Sequence, residues 1–103
     1  MTQYVLAYIG GNHPSDPEEG AKHRADWMAW VQGLGEAVVN PGTPLSGTKS
    51  VTSSGVSDSS STMSGFSIVE ADSMEAAIEM AKSCPFLDID GTIDVSEVMQ
   101  MGG

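Results

Sequence analysis

The sequence is poor in basic residues. Lys and Arg together number 4 against 14 Asp and Glu, which gives the 103 residues a formal net charge of −10. A field of that sign repels phosphate groups, so we expect neither nucleic acid nor an anionic membrane surface as a partner. The sequence also lacks an apolar run near the ~20 residues that cross a bilayer. No basic leader precedes the first strand-like segment, so we expect no secretory signal.

Cysteine is almost absent too. The single Cys84 excludes an internal disulfide and suits a reducing compartment, which favours the cytoplasm. With 40% apolar and 6% aromatic residues the chain can form one small core, and its length predicts a single domain over residues 1–103. A domain this small buries only about two thirds of the surface that its unfolded chain exposes. Burial of further surface in a dimer would therefore increase its stability.

The best-organised stretch is an amphipathic helix that carries both tryptophans. At a period of 3.6 residues, five side chains share one face: His23, Trp27, Trp30, Val31 and Leu34. The opposite face carries small or polar residues: Lys22, Ala25, Ala29 and Gln32. Either Ser15 or Asp16 can cap the start of the helix, before Pro17. We expect this helix to end near Gly33 and to bury its tryptophan face.

Four segments have strand character. Residues 3–9 are almost all apolar and β-prone, which predicts a central strand. Residues 36–40 predict a short strand before the Pro/Gly turn at 41–45, and residues 63–71 predict a third strand. Residues 92–98 alternate polar and apolar side chains, which predicts a last strand with one wet face.

A second helix follows the third strand. Asp72 occupies the expected cap position, with Glu75 three residues later. The apolar face of this helix follows the i, i+3, i+4, i+7 pattern: Met74, Ala77, Ile78 and Ala81. Pro85 stops it.

The predicted order of elements is β-α-β-(β)-β-α-β, with a serine-rich flap or hairpin at residues 46–62. The simplest packing puts both helices on one face of an antiparallel sheet, which is a ferredoxin-like α+β sandwich. The other face of the sheet stays bare unless a second copy of the chain covers it. We therefore expect a homodimer.

Several pieces follow one another over nearly the whole length in a known pattern. They are the strand ending Leu6-Ala7-Tyr8, the helix with His23 and Trp27, the turn Pro41-Gly42-Thr43-Pro44-Leu45, the strand at 65–71, the turn Cys84-Pro85-Phe86 and the last strand at 91–95. In their order and spacing they resemble the YCII-related family, including its DGPF-domain branch. The resemblance implies a dimeric α/β barrel of ferredoxin-like protomers, with a ligand cleft near the helix histidine.

The sequence departs from that family in three places. YCII proteins carry an aspartate before the Pro-aromatic turn, thought to pair with the helix histidine, where this chain has Cys84. The Asp-Gly-Pro-Phe motif of the other branch is absent, and residues 55–59 occupy its region. Ser96-Glu97 stands where the family has Arg-Pro. A histidine–aspartate acid/base pair is therefore not supported here.

His23 is the main candidate site residue. Its imidazole can give or accept a proton near neutral pH, and partial burial on an apolar helix face would keep it a neutral base. Tyr8, Trp27, Pro44 and Cys84 would line the ligand cleft beside it, with Trp27 and Trp30 able to stack on a planar ligand. The ordinary alternative is a packed histidine bonded to a backbone carbonyl, beside tryptophans that serve the core or an interface.

Cys84 is the second candidate. A thiol near His23 would form a nucleophile–base pair if the fold brings the two together. Cys84 follows a helix C-terminus, however, where the helix dipole disfavours a thiolate. The alternative is a small buried apolar side chain.

Two other sequence motifs are weaker evidence for a functional site. Asp88-Ile89-Asp90-Gly91-Thr92 matches the letters of the nucleophile motif of haloacid-dehalogenase-like phosphatases, but that motif follows a buried parallel strand in a much larger domain. A solvated turn is the better interpretation.

His13 lies ten residues from His23, which is no recognised ligand spacing, so we expect a loop residue and no metal site.

Two functions are open from the sequence. The first is a small-molecule binding protein, with minor acid/base catalysis at His23, that needs no cofactor. The second is a non-catalytic interaction or regulatory subunit that acts as a homodimer and uses the tryptophan face only for packing.

Overall fold

The structure, a computed structural model, describes residues 2–12, 16–59 and 62–99. His13 and the alternative helix cap Ser15 lie outside the described residues. In chain order the strands and helices are β1 (Thr2–Gly10), α1 (Pro17–Leu34), β2 (Val38–Asn40), β3 (Lys49–Thr52), β4 (Gly55–Asp58), β5 (Met63–Ala71), α2 (Met74–Lys82) and β6 (Gly91–Glu97). Within this part of the chain, neither helix combines the length and the hydropathy that crossing a bilayer requires.

Four strands form one antiparallel sheet in the order β2-β5-β1-β6, which is the ferredoxin-like strand order. Side chains alternate across β1: Tyr4, Leu6 and Tyr8 are buried, whereas Val5 and Ala7 are only half-buried. The core draws on the buried face and on both helices: Tyr4, Leu6, Tyr8, Trp30, Val69, Ala71, Ala77, Ala81, Cys84 and Phe86. Both helices therefore cover the same face, and the predicted ferredoxin-like α+β fold is confirmed.

Asp16, one of the two predicted caps, begins α1. Its Oδ1 accepts a hydrogen bond from the Glu19 N–H at 2.8 Å. The helix ends before Gly35, where a φ of +58° breaks the α-helical path and the chain makes a tight 3₁₀ turn over Gly35–Ala37. The prediction of a strand over residues 36–40 is thus wrong at its start, because only Val38–Asn40 extend and pair with β5.

The cap of α2 also differs from the prediction. Ser73, rather than Asp72, caps this helix, and its Oγ accepts a hydrogen bond from the Ala76 N–H at 3.2 Å. A capping side chain bonds the N–H two or three residues ahead of it. Because α2 begins at Met74, Asp72 lies one residue too early for that bond.

Trp30 joins the two helices. Its Nε1–H donates to the Met80 carbonyl at 3.0 Å and to the Ser83 hydroxyl at 3.1 Å. Trp30 is buried, whereas His23 and Trp27 on the same face of α1 are half-buried. The predicted apolar face of α1 is therefore fully buried only at Trp30, near the C-terminal end of the helix.

β3 and β4 form a separate two-stranded hairpin inside the serine-rich segment. Val51 and Val56 pair across it and are 77% and 69% exposed. Lys49, which begins β3, and Asp58, which ends β4, form an ion pair at the open end of the hairpin. The hairpin contributes none of the described core residues.

Gly42, in the turn after β2, makes a close backbone approach to β5. Its φ is +81°, and a Cβ there would lie 1.5 Å from the Phe66 carbonyl oxygen. Gly47 has a similar φ of +66° but open space around the same position. Substitutions at these two glycines therefore distinguish the free-energy cost of a positive φ from the free-energy cost of the close contact.

We expect Gly42→Ala to lower the free energy of unfolding by at least about 3 kcal/mol, because a carbonyl group cannot move away as a flexible side chain can. Gly47→Ala should lower it by about 1 kcal/mol, from backbone strain alone. Urea unfolding followed by tryptophan fluorescence measures both. Equal losses in the two variants would contradict the close contact between the turn and β5.

Candidate functional site

A cavity of about 470 Å³ lies between α1 and the sheet. Its other walls come from the end of β1 and the loop after it, the turn after β2, the start of β5 and a 3₁₀ turn at Pro85–Ile89. A bridge between Pro44 and Gly65 holds the turn after β2 against β5. The cavity therefore borders the half-buried part of α1.

His23 and Trp27 lie one helical turn apart on α1 and both line the cavity, with Arg24 and Met28 beside them. The His23 imidazole is half-buried. Among the described residues it has no hydrogen-bond or ion-pair partner. Both ring nitrogens are therefore available to a molecule in the cavity.

The hydroxyl of Tyr8, another lining residue, is held by a chain of hydrogen bonds. The Ser67 hydroxyl donates to the Pro41 carbonyl at 2.7 Å, so its oxygen accepts from the Tyr8 hydroxyl, also at 2.7 Å. Burial raises the pKa of Tyr8 to about 12. Tyr8 therefore keeps its proton at neutral pH and donates it in the hydrogen bond to Ser67.

The ring of Phe86 forms an apolar wall. It lies 5.2 Å from the Tyr8 ring at an interplanar angle of 51°. Two glycines make room for it, since a Cβ on Gly91 would lie 2.1 Å from the ring and one on Gly11 would lie 2.9 Å away. A larger residue at either position would displace Phe86.

The polar groups of the cavity are basic or neutral. The described lining residues that supply polar side chains are Tyr8, Asn12, His23, Arg24, Thr43 and Ser64, and no described lining residue is Asp or Glu. The side-chain amide of Asn12 donates a hydrogen bond to Asp90 at 3.0 Å. Across residues 2–12, 16–59 and 62–99, no three His, Cys, Asp or Glu side chains converge as metal ligands would. The walls suit an organic molecule with an apolar body and a few polar atoms.

Cys84 is 2% exposed and is not among the described residues that line the cavity. Burial raises the pKa of its thiol to about 11. The thiol is therefore protonated at neutral pH and offers no thiolate for nucleophilic attack. These properties fit a small buried apolar side chain.

The structure thus brings four of the sequence-predicted site residues to one cavity: Tyr8, His23, Trp27 and Pro44. It adds lining residues that the sequence reasoning missed, among them Arg24, Asn12 and Phe86. Arg24 did carry a signal, because it is the only arginine in a chain of net charge −10 and it directly follows His23. Asn12 carried none, and Phe86 stood out only as part of the Cys84-Pro85-Phe86 turn.

We expect the Cys84 thiol to be inert toward a disulfide reagent such as DTNB in the native protein at neutral pH, and to react once urea unfolds the chain. Its pKa rises from 9.0 to about 11 on folding, so the unfolded thiol ionises first, and stability falls as the pH rises from about 9 to about 11. Urea unfolding at increasing pH should show a smaller loss in Cys84→Ala.

Tyr8 provides the internal reference for this experiment. Its pKa rises from 10.0 to about 12, so a further loss of stability at higher pH should remain in Cys84→Ala. A native thiol that reacts at neutral pH as fast as the unfolded one would contradict the burial of Cys84.

Comparisons with known proteins agree with this architecture. The model of the YCII-related domain family matches residues 1–102, while no curated protein matches the chain. Among solved structures the chain is similar to 5-chloro-2-hydroxyhydroquinone dehydrochlorinase (TftG) from Burkholderia phenoliruptrix AC1100 in complex with 2,5-dihydroxybenzoquinone, with a TM-score of 0.58 and 20% identity over 96% of this chain and 95% of that one. At this identity the likeness shows the fold alone. Because the family model spans nearly the whole chain, the protein belongs to the YCII-related family.

Proposed function

We propose that the chain binds a small planar molecule in the cavity and that His23 anchors it, giving or accepting a proton where the bound molecule is reactive. The observation that carries this proposal is an imidazole with no partner among the described residues, on the wall of a cavity of about 470 Å³. Imidazole changes its charge near neutral pH, so it transfers a proton at low cost.

Aromatic side chains around the cavity favour a flat ligand. Trp27 lines it from α1, and Tyr8 and Phe86 line it from β1 and the 3₁₀ turn. Flat rings gain from stacked or tilted contacts with such side chains. The volume also lies within the range of about 300–1,000 Å³ that small-molecule pockets occupy.

In this proposal Tyr8 and Cys84 have structural roles and transfer no proton. The Tyr8 proton is engaged by Ser67, and the Cys84 thiol is buried and neutral. His23 is then the proton carrier of the site, and none of the described lining residues is Asp or Glu. Pro44 contributes an apolar wall and positions the turn after β2.

TftG supplies a first probe, since its structure holds 2,5-dihydroxybenzoquinone. This compound is a single flat ring and fits the volume of the cavity. We expect it to shift the indole N–H signal of Trp27 in ¹⁵N-labelled protein. The Trp30 indole, which is already bonded to Met80, should shift much less. His23→Ala should weaken binding about fivefold, the effect of losing one hydrogen bond.

Gln32→Ala is the matched control, because Gln32 lies on the exposed side of the same helix. It should bind the probe as the wild type does. A probe that moves neither indole, or an unchanged affinity in His23→Ala, would defeat the proposal. If His23→Ala instead lowers the melting temperature strongly and no ligand is found, the interaction or regulatory subunit is the better function.

The second element of the proposal is a homodimer formed through the bare face of the sheet. Apolar side chains at Val5 and Ala7 alternate with the buried residues of β1, and their cross-strand partners on β5 are Ile68 and Phe66. All four are half-buried, and both described helices pack on the other side of the sheet. The thin dimension of the molecule, 18 Å, fits one sheet with one layer of helices. A second copy would bury this face.

Val5→Glu tests the dimer. A charge beside Ile68 would be desolvated at the interface, so we expect the mass in solution at micromolar concentration to fall to that of one chain, measured by size exclusion with light scattering. Gln32→Glu adds the same charge on the helix side and should leave the mass unchanged. A wild-type chain that is strictly monomeric would refute the dimer.

A further inference from the structure

We infer that the ligand of this cavity carries a negative charge, a carboxylate or enolate on its planar body, and that Arg24 is the residue that recognises that charge. This inference rests on the proposed function, because it names the class of molecule that the same cavity takes. It concerns a residue that neither the family pattern nor the sequence reasoning singled out.

The first observation is that Arg24 is a cation without a partner among the residues that the structure describes. Each of the three lysines forms an ion pair: Lys22 with Asp26 at 2.9 Å, Lys82 with Glu79 at 2.9 Å, and Lys49 with Asp58. Within the described ranges, Arg24 forms none. In a chain with 14 acidic residues and 4 basic ones, its guanidinium is the one described Lys or Arg group left free for a ligand.

The second observation is the sign of the charge around the cavity. His23 and Arg24 are its ionisable basic groups, and no described lining residue is Asp or Glu. The Asp90 carboxylate accepts a hydrogen bond from the Asn12 side-chain amide and is not one of the described lining residues. Asp26 is paired with Lys22 on the same helix. A chain of net charge −10 repels anions over most of its surface, so this cavity is where an anion can be held.

The third observation is the arrangement along α1. Arg24 directly follows His23, and Trp27 comes one turn later, so a charged donor, an imidazole and an indole line the same side of the cavity. A guanidinium presents parallel N–H groups that match the two oxygens of a carboxylate. An aromatic acid would satisfy Arg24 with its carboxylate while its ring lies against Trp27.

Benzoate and benzamide test the inference, because they share size and shape and differ in charge. The single arginine gives one assignable Nε–H signal, and this signal and the Trp27 indole report binding in ¹⁵N-labelled protein. We expect benzoate to bind about fivefold to tenfold more tightly than benzamide, as a partly exposed charge-assisted pair allows. Added salt should reduce that preference.

Arg24→Gln should remove the preference, because it weakens the binding of benzoate much more than that of benzamide. Arg24→Lys keeps the positive charge but lacks the parallel N–H groups of a guanidinium, so it should retain part of the preference for benzoate. Lys82→Gln, which removes an ion-paired cation from α2 outside the described lining, should behave as the wild type. This control separates local recognition from the change in net charge.

The outcomes distinguish the two proposals. Equal binding of benzoate and benzamide to the wild type, or a preference that survives in Arg24→Gln, overturns the assignment of Arg24 and leaves the cavity a binding site. If neither compound moves the Trp27 indole at any concentration, the proposed function fails and this inference fails with it.

Discussion

One buried hydroxyl chain fixes the geometry on which the rest of the site depends. Ser67 has a single proton and gives it to the Pro41 carbonyl, so Tyr8 must donate to Ser67. These bonds tie β1, β5 and the turn after β2 together at one end of the sheet. Each group would cost about 1–3 kcal/mol if it were buried without a partner, so the three segments cannot separate without loss. The wall that faces α1 is therefore set by the core and not by a ligand.

Glycines complete that wall by removing side chains where the backbone or a ring must come close. Gly42 allows the turn to lie against the Phe66 carbonyl, and Gly11 and Gly91 leave room for the Phe86 ring. Phe86 in turn packs against Tyr8. The cavity is thus bounded by rigid elements on the sheet side, while α1 supplies its chemically active side chains. A site built in this way loses little conformational entropy when it binds a ligand.

The fold could be predicted because its signals lie within single segments. The apolar run of β1 and the shared helix face of His23 and Trp27 are readable from the sequence alone, and they led to the right layers and to part of the cavity. The cap at Ser73 could not be predicted, since Asp72 one residue earlier is an equally good capping residue. Phe86 lies far along the chain from α1, and only tertiary packing shows that it lines the same cavity. Local periodicity carries no information about such pairs.

The YCII pattern that the sequence resembles implies an aspartate where this chain has Cys84, so this buried position carries no charge near neutral pH. At a position that is 2% exposed, a carboxylate would need a charged partner to remain ionised, whereas a thiol with a pKa near 11 is neutral. With a neutral residue there, no acid from this position balances the imidazole of His23 or the guanidinium of Arg24. We infer that the negative charge that pairs with Arg24 comes from the ligand. A neutral residue at position 84 and the proposed preference of the cavity for an anion are therefore consistent with each other.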